Sequence, residues 1–62
     1  MKYRIYNNVE GEIVKETNSD AEFIHFVRNL AVENCDEELS ILSTGEAKDY
    51  LSDYCSNLKL LS

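Results

Sequence analysis

Two S-x-x-E steps, each leading into apolar residues at helical spacing, constrain the fold of this chain more than anything else in it. Ser19-Asp20-Ala21-Glu22 and Ser43-Thr44-Gly45-Glu46 both have the form of a capping box, in which the serine hydroxyl takes up an orphan N–H of a helix's first turn. From Ser19 the helix is expected to reach about Asn34. At about 100° per residue, Phe23, Ile24, Phe26, Val27, Leu30 and Ala31 fall on one arc, with Glu22, His25, Arg28 and Asn29 outside it. After Ser43, the residues Ala47, Tyr50, Leu51, Tyr54 and Cys55 define a second amphipathic helix.

The residues before Ser19 alternate with a period of two. Met1, Tyr3 and Ile5 face one way and Lys2, Arg4 and Tyr6 the other, the pattern of a half-buried strand. Asn7-Asn8-Val9-Glu10-Gly11 supplies turn chemistry, and a second strand over Glu12 to Thr17 completes a hairpin. Between the helices, Leu39-Ser40-Ile41-Leu42-Ser43 again alternates and is expected to be a strand with Leu39 and Ile41 inward. Two continuations compete after the second helix. Asn57 as a C-terminal cap would release Leu58 to Leu61 as a short strand, with Leu58 and Leu60 inward. The 4-3-4-3 spacing of Ala47, Leu51, Tyr54, Leu58 and Leu61 would instead carry the helix to the end. The strand is preferred, because a longer helix leaves Leu60 on its wet face.

The expected fold class is therefore α+β: a small single-layer sheet with two helices packed on one face. The N-terminal β-hairpin and one or two further strands make the sheet, in the order ββαβα with a last β. Right-handed crossovers between parallel neighbours would set both helices on the same side. With no repeat, low-complexity segment or linker, residues 1–62 are expected to form a single small globular domain.

A chain this short buries only about 60% of the surface that its unfolded form exposes, which leaves little core to wall a deep pocket. Function is expected on the surface. Residues 1–18 are neutral, while residues 19–62 hold nine acids against Arg28, Lys48 and Lys59, so the whole net charge of −6 lies there. A field of that sign repels nucleic-acid phosphates and anionic lipid and attracts basic surfaces. Direct nucleic-acid binding and membrane association are accordingly not expected. Two cysteines, no signal-peptide pattern and no apolar run of membrane length suggest free thiols in the cytoplasm.

Catalytic, cofactor and metal sites are not expected. His25, the one histidine, is placed on the wet face of the first helix with only Glu22 near enough to pair. Cys35 and Cys55 belong to no C-x-x-C pair. Cys35 lies among acids, a poor setting for a nucleophilic thiolate, and Cys55 falls on the apolar arc of the second helix.

The acids carry more weight. Glu33, Asp36, Glu37 and Glu38 gather where the first helix ends, although that end carries partial negative charge and ordinarily attracts Lys or Arg. Glu46, Asp49 and Asp53 form a second acidic stripe along the later helix. A local conflict of this kind fits retention for a partner. Of the four tyrosines, three are expected in the core, and Tyr6, beside Lys2 and Arg4, on an open sheet surface that could form a homodimer contact.

The expected function is that of a non-enzymatic protein-binding module, an inhibitor or regulator of a basic, nucleic-acid-handling protein. Its partner-binding residues are Glu33, Asp36, Glu37, Glu38, Glu46, Asp49, Asp53 and Tyr6. In size and charge the chain is similar to phage-encoded inhibitors of host defence, including anti-restriction and anti-CRISPR proteins, a likeness of composition that no motif carries. The alternative is a small structural subunit acting through homo-oligomerisation.

Overall fold

A computed structural model describes residues 2–61; Met1, expected to open the first strand, lies outside the described residues. The hairpin pairs β1 (Tyr3–Asn7) with β2 (Glu12–Thr17) in antiparallel register. Its turn is built by one asparagine. The Asn7 side chain accepts the N–H groups of Val9 and Glu10, both at 2.9 Å, and its carbonyl accepts the Gly11 N–H at 2.8 Å. Gly11 closes the turn at φ 72°, in the left-handed region that glycine enters without steric cost. The register shifts between Ile5 and Tyr6, and the resulting bulge interrupts the regular outer edge of β2, which discourages further strand pairing.

Helix α1 (Asp20–Glu33) begins where its capping sequence places it, with Ser19 Oγ accepting the Glu22 N–H at 3.2 Å. The reciprocal half of the box is rerouted. Ser19 N–H donates to Thr17 Oγ1 at 3.0 Å, and that hydroxyl donates in turn to the Glu22 carboxylate. The buried Thr17 thus welds the end of β2 to the start of the helix. Ser43 caps α2 (Thr44–Tyr54) in the same way, accepting the Glu46 N–H at 3.3 Å.

A short strand β3 (Leu58–Leu60) follows α2, as preferred over the longer helix, with Leu58 and Leu60 both partly buried against the core. Strand order is β2-β1-β3. Both pairings are antiparallel, so the parallel-neighbour crossovers expected from the sequence are absent from the described sheet. Chain passing from β2 through both helices to β3 still crosses one face, because α1 packs over β2 and α2 over β3. The core there joins Tyr3 and Ile5 to Phe23, Val27 and Ala31 of α1 and to Ala47, Tyr50 and Leu51 of α2.

The expected middle strand is instead a single 3₁₀ turn, Glu38–Ser40. Ile41 is buried as expected, but Leu39 is 69% exposed, which corrects its inward assignment. The cause lies at the end of α1. Cys35 N–H bonds to the Val32 carbonyl and Asp36 N–H to the Ala31 carbonyl, the two bonds of a Schellman motif. The chain therefore leaves the helix in a tight coil, and the segment after it joins no strand of the described sheet.

That motif forces a left-handed residue, and Cys35 occupies the position at φ 59°. A side chain there costs about 1–2 kcal/mol, part of which returns through glycine's greater freedom when unfolded. Cys35→Gly is expected to stabilise the protein by about 0.5–1 kcal/mol in urea denaturation. Destabilisation would show that the exposed thiol makes contacts worth more than the strain.

Candidate functional site

Asp36 and Glu37 of the first acidic group come together with the second along α2, and Tyr50 is what joins them. Its ring is buried while its hydroxyl donates to Asp36 Oδ2 at 2.6 Å and accepts from Asn34 Nδ2 at 3.2 Å. The loop after α1 is thereby tied to the middle of α2. A groove of about 260 Å³ runs between them, lined by Asp36, Glu37, Ser40, Tyr50 and Tyr54. A second groove of about 200 Å³ shares Ser40, Tyr50 and Tyr54 with the first and adds Glu46, Asp49 and Asp53. Five carboxylates and no basic side chain line the two.

Tyr54 stands at the centre of this face, 66% exposed, its ring centroid 5.0 Å from that of Tyr50 and tilted by 32°. This corrects the expectation that Tyr54 packs in the core with Tyr3 and Tyr50. Helical angle does point it toward the sheet, but it sits in the last turn of α2, where it leans on Tyr50 and lines both grooves.

The other expected partner-binding residues do not converge here. Glu38 is half-buried and lines an adjoining groove of about 350 Å³ with Cys35 and Leu39, sharing Asp36 and Glu37 with the first but not reaching Tyr54. Glu33 is exposed at the end of α1 but lines none of these grooves. Tyr6 is half-buried on the sheet face turned away from the helices, between Ile13 of β2 and Lys59 of β3. It cannot share a contact with Tyr54, since the whole sheet and helical layer lie between them.

Two further grooves have different chemistry. One of about 370 Å³ between α2 and β3 is lined by Lys48 and Lys59 with Ser52, Ser56 and Leu58 among its walls. Another, beside α1, holds Lys15, Glu22 and the exposed His25. The sole histidine thus lies in a different groove from those serines. No group of three or more His, Cys, Asp or Glu is placed to hold a metal ion among the described residues. Cys35 is exposed and Cys55 buried, both free, and burial, reinforced by the charge of Asp36, pushes the Cys55 thiol up from its ordinary pKa. Among the described residues no helix is long and apolar enough to cross a membrane.

Two tyrosines make the fold sensitive to alkali. The hydrogen bond to Asp20, then burial, raises the Tyr3 hydroxyl above its ordinary 10.0, and burial, then the bond to Asp36, does the same for Tyr50. A raised pKa in the folded state means stability that is complete below the ordinary value and lost as pH climbs through the folded one. The melting temperature is therefore expected to hold to about pH 9 and fall steeply above pH 10, the Cys55 thiol adding to the loss. A flat profile to pH 11 would contradict the two hydroxyl–carboxylate bonds.

Compared with known family models, curated proteins and solved structures, the chain matches none of them, and its site stands on its own geometry.

Proposed function

We propose that this protein is a non-enzymatic binding module of the cytoplasm whose acidic face around Tyr54 docks on a basic protein surface of the kind that handles nucleic acid, and so inhibits or regulates that protein. The observation carrying this reading is the Tyr50–Asp36 hydrogen bond, which gathers carboxylates from two separate segments around one exposed aromatic ring with no cation among them. An interface built this way combines a desolvatable aromatic centre with a charged rim that steers encounter. The test compares the tagged wild type with a Glu46→Gln, Asp49→Asn, Asp53→Asn variant in co-purification from host extract. A basic protein held at low salt, shed at high salt and missing from the variant supports docking through this face. The same protein recovered equally by both removes the α2 carboxylates from the interaction.

Self-association is a second reading, favoured by the uncovered sheet face, where Tyr6 lies between Ile13 and Lys59. It predicts a homodimer by sedimentation at high concentration that Tyr6→Lys disrupts. A monomer at every concentration overturns it.

A further inference from the structure

Tyr54 is an aromatic ring set among carboxylates, and among the described residues no basic side chain lines the grooves beside it. The described cations are used elsewhere: Lys2 pairs with Asp20 at 2.7 Å, Arg4 with Glu16 at 3.6 Å, and Lys48 lies 5.9 Å from the centre of the Tyr3 ring. Lys15 and Lys59 line other grooves, and Arg28, half-buried on α1, lines neither groove beside Tyr54. Tyr54 lines one groove with Asp36 and Glu37 and another with Glu46, Asp49 and Asp53, and its ring lies 5.0 Å from that of Tyr50, which lines both.

Two requirements follow for whatever fills this place. Its charge must be positive, to offset five carboxylates, and part of it must be flat, to cover an exposed ring face. Guanidinium meets both: it stacks on aromatic rings and offers a fork of N–H donors to carboxylates at its edges. Ammonium meets only the first, being a compact, strongly hydrated point charge. Building on the docking reading above, we propose that the Tyr54 face selects an arginine side chain of the basic partner, its guanidinium stacked on the Tyr54 ring and its edges bonded to the flanking carboxylates.

The test uses fluorescently labelled hexa-arginine and hexa-lysine peptides, equal in charge, titrated with the protein at low ionic strength. Wild type is expected to bind hexa-arginine more tightly, with up to about two- to fivefold of that preference supplied by the ring, the whole value of a cation over an exposed aromatic, of which lysine takes a smaller share. Tyr54→Leu should abolish that preference and weaken hexa-lysine binding less than hexa-arginine binding, while Tyr54→Phe should keep it. Because Tyr54 is largely exposed, both variants are expected to fold, and circular dichroism checks this. Equal affinity for the two peptides in wild type, or an arginine preference that survives in Tyr54→Leu, overturns the inference. If that equal binding also disappears in the Glu46→Gln, Asp49→Asn, Asp53→Asn variant, the docking face stands without arginine selection. No binding of either peptide at low salt overturns both.

Discussion

Replacing Phe23 by alanine is expected to destabilise the protein by about 3–5 kcal/mol, as removal of a fully buried aromatic does in other cores. Phe23 has no exposed surface, and its ring stacks on that of Tyr3 with centroids 4.2 Å apart and planes 2° from parallel. It therefore joins α1 to the central strand of the sheet. For a domain of this length, total stability is on the order of 3–9 kcal/mol at about 0.05–0.15 kcal/mol per residue, so the variant should be largely unfolded or nearly so. Urea denaturation followed by far-ultraviolet circular dichroism measures this directly. A loss below about 1 kcal/mol would mean that the helix and sheet are not clamped at this point.

Tyr50→Phe is the second large effect, expected to cost about 1–2 kcal/mol. The substitution keeps the buried ring and removes only the hydroxyl, which bonds a carboxylate at 2.6 Å and an amide at 3.2 Å. Bonds to charged groups contribute about 1.5–3 kcal/mol, and the exposure of Asp36 to water lowers that here. A cycle with Asp36→Asn should show coupling between the two positions, since each change removes the same bond. Tyr50→Phe should also blunt the loss of stability above pH 10, because one of the two raised hydroxyls is gone. Independent, additive effects would show that Asp36 is held by other contacts and that the two acidic segments are not joined through Tyr50.

The helices were the most legible part of the sequence, because capping and periodicity are local. Ser19 and Ser43 each mark a first turn, and the preferred strand at Leu58 is present, but α2 is capped at Cys55, which corrects Asn57 as its C-terminal cap and leaves Asn57 in the turn that follows. Leu39 was misplaced for the opposite reason. Its alternation with Ile41 fits a strand, but a strand also needs a pairing partner that local alternation does not encode, and after the left-handed turn at Cys35 the segment forms a 3₁₀ turn instead. Strand direction likewise depends on where β3 docks, which no residue pattern near Leu58 encodes.

At the site, the acidic stretches were visible as charge, but their union was not, because it depends on a hydrogen bond across 14 residues of chain. Tyr54 was read from its helical angle as core. That angle gives a direction and leaves open whether any neighbour waits there, and at the last turn of α2 the ring remains 66% exposed. A faint signal did exist, since Tyr54 directly follows Asp53 in a turn with no basic residue, where the helix end favours one.

The central claim is that one face of this acidic molecule, not its charge at large, receives a basic surface. The most direct measurement is a ¹⁵N–¹H correlation titration with hexa-arginine at low salt, read residue by residue. Shifts concentrated at Asp36, Glu37, Glu46, Asp49, Asp53 and Tyr54, with Tyr6 and the hairpin acids Glu10, Glu12 and Glu16 unmoved, are the predicted result. Shifts spread evenly over all exposed acids, or centred on the sheet face around Tyr6, would contradict it.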